Sequence, residues 1–216
     1  MGIIKGGILG GFSNKTGAVI GAYWRTLNVM RGLPRKSSKA ATQLQLDQQT
    51  KFKLIITMLT KAQSLISRGY NSSGRILTSM NMAVSENLTN AIVGVSPLFS
   101  IDYPFVSFSK GSLDEAPDTT LLGVATAKVN FAWAYEGESS ETISATDEAT
   151  VVIYNPSKGR FVRMDAAALR SELGFALQMP ASYVGDTVHG YLIFFSQINK
   201  KKVSNTMYSG QAVVIA

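Results

Sequence analysis

Lys128-Val-Asn-Phe-Ala-Trp-Ala-Tyr135 alternates without a break: Val129, Phe131, Trp133 and Tyr135 fall on one face, Lys128, Asn130, Ala132 and Ala134 on the other. Period two with large apolar groups on one side is the pattern of a half-buried strand. Similar short runs surround it at Phe105–Ser109, Thr120–Ala125, Ala149–Asn155, Arg160–Met164, Gly174–Met179, Thr187–Phe195 and Gln211–Ile215. Turn-forming Asp, Gly, Pro and Ser separate them, as in Lys110–Asp118 and Asn155–Gly159. Strands at this spacing predict an antiparallel sandwich over residues 113–216. A short helix is expected at Asp165–Glu172.

The first 112 residues read differently. Ile8–Phe12, Ala18–Trp24 and Leu27–Arg31 are short strands punctuated by glycine, with a turn at Ser13–Gly17. Gly21 inside a strand marks a bulge or the close approach of another backbone. Arg35–Lys39 forms a basic hinge. From Ala40 to about Arg68 the spacing becomes helical: Leu44, Ile55, Met58, Leu59, Ala62, Leu65 and Ile66 recur without Gly or Pro, and Gly69 stops the run. This predicts one amphipathic helix about 42 Å long. A weaker helix is expected at Ser79–Val93, ended by Gly94 and Pro97. The fold class expected is mainly β, α+β overall: N-terminal strands, one long helix, then the sandwich.

Charge is divided unevenly along this chain. Residues 1–75 carry twelve Lys/Arg against one acid, Asp47, a balance of +11; residues 76–216 carry nine against thirteen, a balance of −4. Such asymmetry is an argument about partners. Lys5, Lys15, Arg25, Arg31, Arg35, Lys36, Lys39, Lys51 and Lys53 form the candidate contact set, with Tyr23 and Trp24 among them. Cations with loose spacing suit phosphates, and aromatic rings stack on bases. The competing readings are a solvated or subunit-facing surface and pairing with acidic loops of a neighbouring copy. No zinc finger, RNP box or helix-turn-helix pattern is present.

There is no cysteine, which excludes disulfides, thiolate metal sites and a Cys nucleophile. The N-terminal stretch lacks the apolar region of a secretory signal. The longest uncharged stretch, Asn87–Ile101, is too short and too polar to span a bilayer. Synthesis in the cytoplasm and no membrane span are expected. His189 is the single histidine, and Asp186, three residues before it on the same strand, points to the opposite face. It reads as a strand residue satisfied by a neighbour. Carboxylates at Asp114, Glu115, Asp118, Glu136, Glu138, Glu141, Asp147 and Glu148 read as solvated loops with no metal. The glycines at 6, 7, 10, 11 and 17 lack the ending of a phosphate-binding loop and read as tight strand packing. No enzyme and no cofactor are expected.

The stretches Gly7–Gly17, Trp24-Arg25, Val29–Pro34 and Ala41–Phe52 resemble the opening of an uncharacterised protein family of Bacteroidota. Ala149–Asn155, Met179-Pro180, Gly185–Tyr191 and Val203–Gly210 are similar to its second half. The resemblance implies a basic strand-and-helix front and a sandwich like fibronectin type III or immunoglobulin domains. It implies no activity. The Asn199–Lys202 turn is more basic than the Asp-Gly type of turn expected there.

The function expected is a non-enzymatic structural protein that assembles with copies of itself. In concrete form it is a capsid, coat or other virion component of a phage or phage-like element of Bacteroidota, with non-specific nucleic acid as a second partner. The alternative is a surface module whose sandwich binds glycans or proteins through Tyr103, Trp133, Tyr154 and Tyr183.

Overall fold

A computed structural model of the chain describes residues 2–4, 10–24, 27–35, 39–70, 77–137, 142–199 and 201–216. Two compact units divide it, Met1–Thr42 and Gln43–Ala216. The strand pattern places a boundary after Ser112, in the Lys110–Asp118 segment, whereas contacts divide the chain between Thr42 and Gln43.

The first unit is an antiparallel sheet in the order β1-β2-β3-β4, with β1 Ile3–Ile4, β2 Phe12–Thr16, β3 Val19–Trp24 and β4 Leu27–Gly32. Of the expected strand Ile8–Phe12, residues 8 and 9 lie outside the described residues, Gly10 and Gly11 are not strand, and Phe12 opens β2. The turn expected at Ser13–Gly17 is instead strand up to Thr16. Thr16 pairs with Val19 across a two-residue loop in which Gly17 has φ +60°; such tight loops require positive φ, which glycine adopts without strain. At Gly21 a Cβ would collide with the Phe12 carbonyl oxygen. The expected close approach of another backbone is therefore present.

The second unit begins with three helices: α1 Gln43–Lys61, α2 Gln63–Gly69 and α3 Ser79–Asn90. The single long helix is thus corrected. An i→i−3 bond from Ala62 N to Leu59 O (2.9 Å) tightens the chain at Ala62, a 3₁₀-type turn that breaks the α register. It separates the buried Ile55, Met58 and Leu59 of α1 from Leu65 and Ile66 of α2. The Thr78 side chain caps α3 by accepting from Asn81 N at 3.2 Å. Helix α3 ends at Asn90, not Val93. The chain then forms a hairpin that periodicity missed, β5 Ile92–Val95 and β6 Leu98–Ile101.

Seven strands follow: β7 Thr120–Val124, β8 Lys128–Ala132, β9 Glu148–Asn155, β10 Arg160–Leu169, β11 Gly174–Gln178, β12 Thr187–Phe195 and β13 Met207–Val213. They form a three-stranded sheet, β11-β8-β7, and a four-stranded sheet, β10-β9-β12-β13. Counted within the sandwich, strands one, two and five face strands three, four, six and seven. An immunoglobulin constant domain keeps its fourth strand beside the fifth; here β10 pairs with β9 instead.

The central strands of the four-stranded sheet are apolar on both sides because both sides are covered. Val151, Ile153, Leu192 and Phe194 enter the core between the sheets with Val129, Phe131 and Trp133. Their sequence neighbours Val152, Tyr154, Tyr191, Ile193 and Phe195 enter a second core beneath the helices with Ile55, Leu59, Leu65 and Ile66. Burial on both faces turns alternation into a continuous apolar run. The four-stranded sheet is therefore the middle of a three-layer unit.

Two expectations are corrected here. Phe105–Ser109 is not a strand: Asn87 Oδ1 accepts from Ser107 N, and Thr206 Oγ1 accepts from Phe108 N and Ser109 N, each at 2.9 Å. Side chains thus satisfy this backbone in place of a neighbouring strand. Asp165–Glu172 is not a helix. Strand β10 continues through a bulge between Met164 and Ala168 and ends in one 3₁₀ turn, Arg170–Glu172.

Candidate functional site

Grouping the charges by compact unit sharpens the imbalance. Residues 1–42 contain seven Lys/Arg and no Asp or Glu; residues 43–216 contain fourteen of each sign. The whole formal charge of +7 therefore belongs to residues 1–42. Lys61 and Arg68, counted with the basic third along the sequence, lie on α1 and α2 of a charge-balanced body.

The strand register decides which cations share a row. Ile20 is opposite Lys15 on one side and Arg31 on the other. Directly opposed residues share a face, so Lys15, Ile20 and Arg31 form one row. Ala22 and Val29 form the next pair and Trp24 and Leu27 the last on that face. The opposite face carries Asn14 and Thr16 from β2, Val19, Gly21 and Tyr23 from β3, and Asn28, Met30 and Gly32 from β4, none of them charged. The main chain at Phe12 crosses this uncharged face at Gly21, and Gly11 approaches the Asn28 side chain. The glycine packing expected from the sequence is seen at these two positions.

The other candidate contact residues are spread out. Arg35 and Lys39 are exposed in the stretch after β4. Lys5, Arg25 and Lys36 lie outside the described residues. Lys53 is exposed on α1, whereas Lys51 sits 4.5 Å over the Phe99 ring of the β5–β6 hairpin, a cation–π contact that holds helix to hairpin. Of the nine, only Lys15 and Arg31 are shown on one row, on either side of Ile20.

The remaining polar groups are committed to structure. His189 is 8% exposed, with Nδ1 2.9 Å from the Tyr208 hydroxyl and its ring stacked on Tyr103 at 4.2 Å. Burial lowers its pKa below the usual imidazole value. The nearby carboxylate of Asp186 is engaged by Lys158 and Asn155, which together hold its pKa below the usual range. No nucleophile is poised on His189 among the described residues. Of the four rings considered for glycan stacking, Trp133, Tyr154 and Tyr183 are buried. The fourth, Tyr103, stacks on His189 and accepts the Tyr191 hydroxyl at its carbonyl, 2.9 Å. The three buried rings offer no open aromatic platform, and one face of the half-buried Tyr103 ring is taken by His189.

Asp147 overturns the reading of uniformly solvated loop carboxylates. It is buried and ion-paired with Arg170, 3.3 Å between Oδ2 and Nε. Arg170 Nη2 donates to Asp114 O at 2.8 Å, and the guanidinium lies 4.1 Å over the Phe194 ring. No local pattern marks Arg170, because its partners lie 23 and 56 residues away by residue number. A cleft of about 600 Å³ lies beside Tyr70, Glu86, Lys110 and Lys201, and its Glu86 and Lys110 neutralise each other at 2.9 Å. Among the described residues no three His, Asp or Glu converge as metal ligands. No helix among them is long and apolar enough to cross a membrane.

Residues 11–210 match the model of a family of unknown function (DUF6266), and the chain belongs to that family. The resemblance to an uncharacterised family holds in that form. No curated protein matches the chain. Among solved structures it is similar to the FN1–FN3 domains of chicken CNTN1, with 8% identity and a TM-score of 0.34. That match covers 50% of this chain and 34% of the other, so the chain spans about a third of that structure.

Proposed function

We propose that this DUF6266 chain is a non-enzymatic structural protein that assembles with copies of itself. In its specific form the proposal is a coat or other virion component of a phage or phage-like element of Bacteroidota. One observation carries the assembly reading. Among the described residues of the N-terminal unit, Gly21 alone is buried, while Ile3, Val19, Tyr23, Trp24, Leu27, Met30 and Leu33 are all exposed. Among its described residues this unit buries no apolar side chain and so shows no core of its own. Exposed apolar side chains at that density mark an interaction surface.

Strand β4 ends the sheet, so among the described residues no strand pairs with its outer edge. An open edge is a template for a strand of a second copy. The virion reading adds the concentration of positive charge on this unit, which suits a surface turned towards a packaged genome.

Sedimentation velocity over a hundredfold range of concentration, with electron microscopy of the same samples, tests assembly. Larger species growing with concentration are expected. A monomer throughout, with no regular particles or filaments, overturns the reading. Peptides of this chain in purified phage-like particles from a producing strain are expected; particles without them overturn the virion form while leaving assembly intact.

A further inference from the structure

We infer that the Lys15–Ile20–Arg31 face of the N-terminal sheet binds single-stranded nucleic acid, with phosphates at the cationic row and a base on Trp24. The inference rests on the reading of this unit as an interaction surface in a structural protein, and it names the partner of one of its two faces.

Charge balance selects the occupant. Residues 1–42 carry seven Lys/Arg and no Asp or Glu. A second copy offers a body with fourteen charges of each sign. Several of its acids are already engaged: Glu86 with Lys110, Asp147 with Arg170, Asp186 with Lys158, and Glu115 with Asn205. A nucleic acid supplies what that body lacks, a dense line of negative charge carrying releasable counterions.

Geometry selects a single strand. Lys15 and Arg31 flank Ile20, which places two cations on one row across the strands. Trp24 lies on the same face four residues along β3, about 13 Å from that row at 3.3 Å per residue. Ile20, Ala22 and Val29 form a low apolar floor between them. A base stacks on an indole only when it is free of a duplex, and such stacking tolerates any sequence. The opposite face has no cation on β2, β3 or β4 between Asn14 and Gly32, so charge directs the strand to one side of the sheet.

The test uses the full chain and a fluorescein-labelled 20-nucleotide single-stranded DNA, read by anisotropy at 50 and 200 mM NaCl. With about four phosphates neutralised, affinity falls about 50-fold between those salts. The double variant Lys15→Gln/Arg31→Gln flattens the logarithmic salt slope by about 1.4. Trp24→Ala weakens binding at least about fivefold. The chain has two tryptophans, and Trp133 is buried in the sandwich core, so quenching on binding reports Trp24.

Circular dichroism confirms that each variant is folded. Absence of binding at 50 mM NaCl overturns the inference, as does an unchanged slope in the folded double variant or an unquenched Trp24. Self-association lost in the double variant without nucleic acid present also overturns it, because the face is then a subunit contact. Binding by a chain that sediments as a monomer supports this inference while removing the assembly reading. Assembly without binding does the reverse.

Discussion

Arg170 and Asp147 form an ion pair in which each side chain is only 2% exposed. The pair ties the end of β10 to the loop before β9. Trp133 Nε1 donates to Arg170 O at 2.8 Å, which locks the same corner to the opposite sheet. Burial lowers the guanidinium pKa, while Asp147 and Asp114 act in the other direction. Removing one partner leaves a buried charge uncompensated. Asp147→Asn is expected to cost about 3–5 kcal/mol in urea unfolding. Arg170→Met combined with Asp147→Leu is expected to cost less than that single change. An Asp147→Asn loss below about 1 kcal/mol would show that water reaches the pair.

Asn87 is fully buried on α3 and makes three bonds: Nδ2 to Ala83 O and Ser107 O, and Oδ1 from Ser107 N. Asn87→Ala strips the side-chain partners from the N–H and carbonyl of Ser107. A loss of about 2–4 kcal/mol is expected, since buried amide groups left unpaired bear the full desolvation cost. Hydrogen exchange of the Ser107 amide is expected to accelerate more than that of β12, which would separate local release from global unfolding.

Gly21 and Gly32 make a paired test in the N-terminal sheet. A Cβ at Gly21 meets the Phe12 carbonyl, whereas one at Gly32 meets nothing within 4 Å. Gly21→Ala is expected to destabilise that unit by about 1–3 kcal/mol through overpacking. Gly32→Ala is expected to be close to neutral. Amide exchange in β2 and β3 is the measurement; equal protection in both variants would contradict the packing described.

His189 makes stability depend on pH. Its folded pKa lies below the unfolded value of about 6.5 because burial disfavours the charged ring. The unfolded chain therefore binds a proton first as pH falls. The histidine's contribution is intact above about 6.5 and is lost progressively as pH drops towards the folded pKa. Urea midpoints are expected to fall between pH 7.5 and pH 5. His189→Gln, which retains a polar group for Tyr208, is expected to show a smaller fall. An identical fall in both proteins would assign it to other groups.

Much of the β architecture is legible from local pattern. Thr187–Phe195 is read with its observed ends, and Val129, Phe131 and Trp133 point into the core as their alternation requires. The helical spacing is also real, but spacing alone does not register the i→i−3 bond at Ala62 that divides α1 from α2. The segment Phe105–Ser109 has the composition of a strand. Its backbone partners are side chains on α3 and before β13, and no local window contains them.

The candidate surface divides in the same way. Composition shows that cations gather early in the chain, because charge is a property of each residue wherever it lies. It does not show that Lys51 is held over Phe99. Nor does it show that Arg170, a charged residue, is among the most buried side chains. The sequence by itself determined the strand periodicity, the lack of cysteine chemistry and the charge imbalance. Only the folded chain shows that the net charge falls within one compact unit, residues 1–42, and that Lys15 and Arg31 share a row. The shared row depends on strand register, where a slip of one residue moves every side chain to the other face. Register is set by pairing between segments, and the residues of one segment do not encode it.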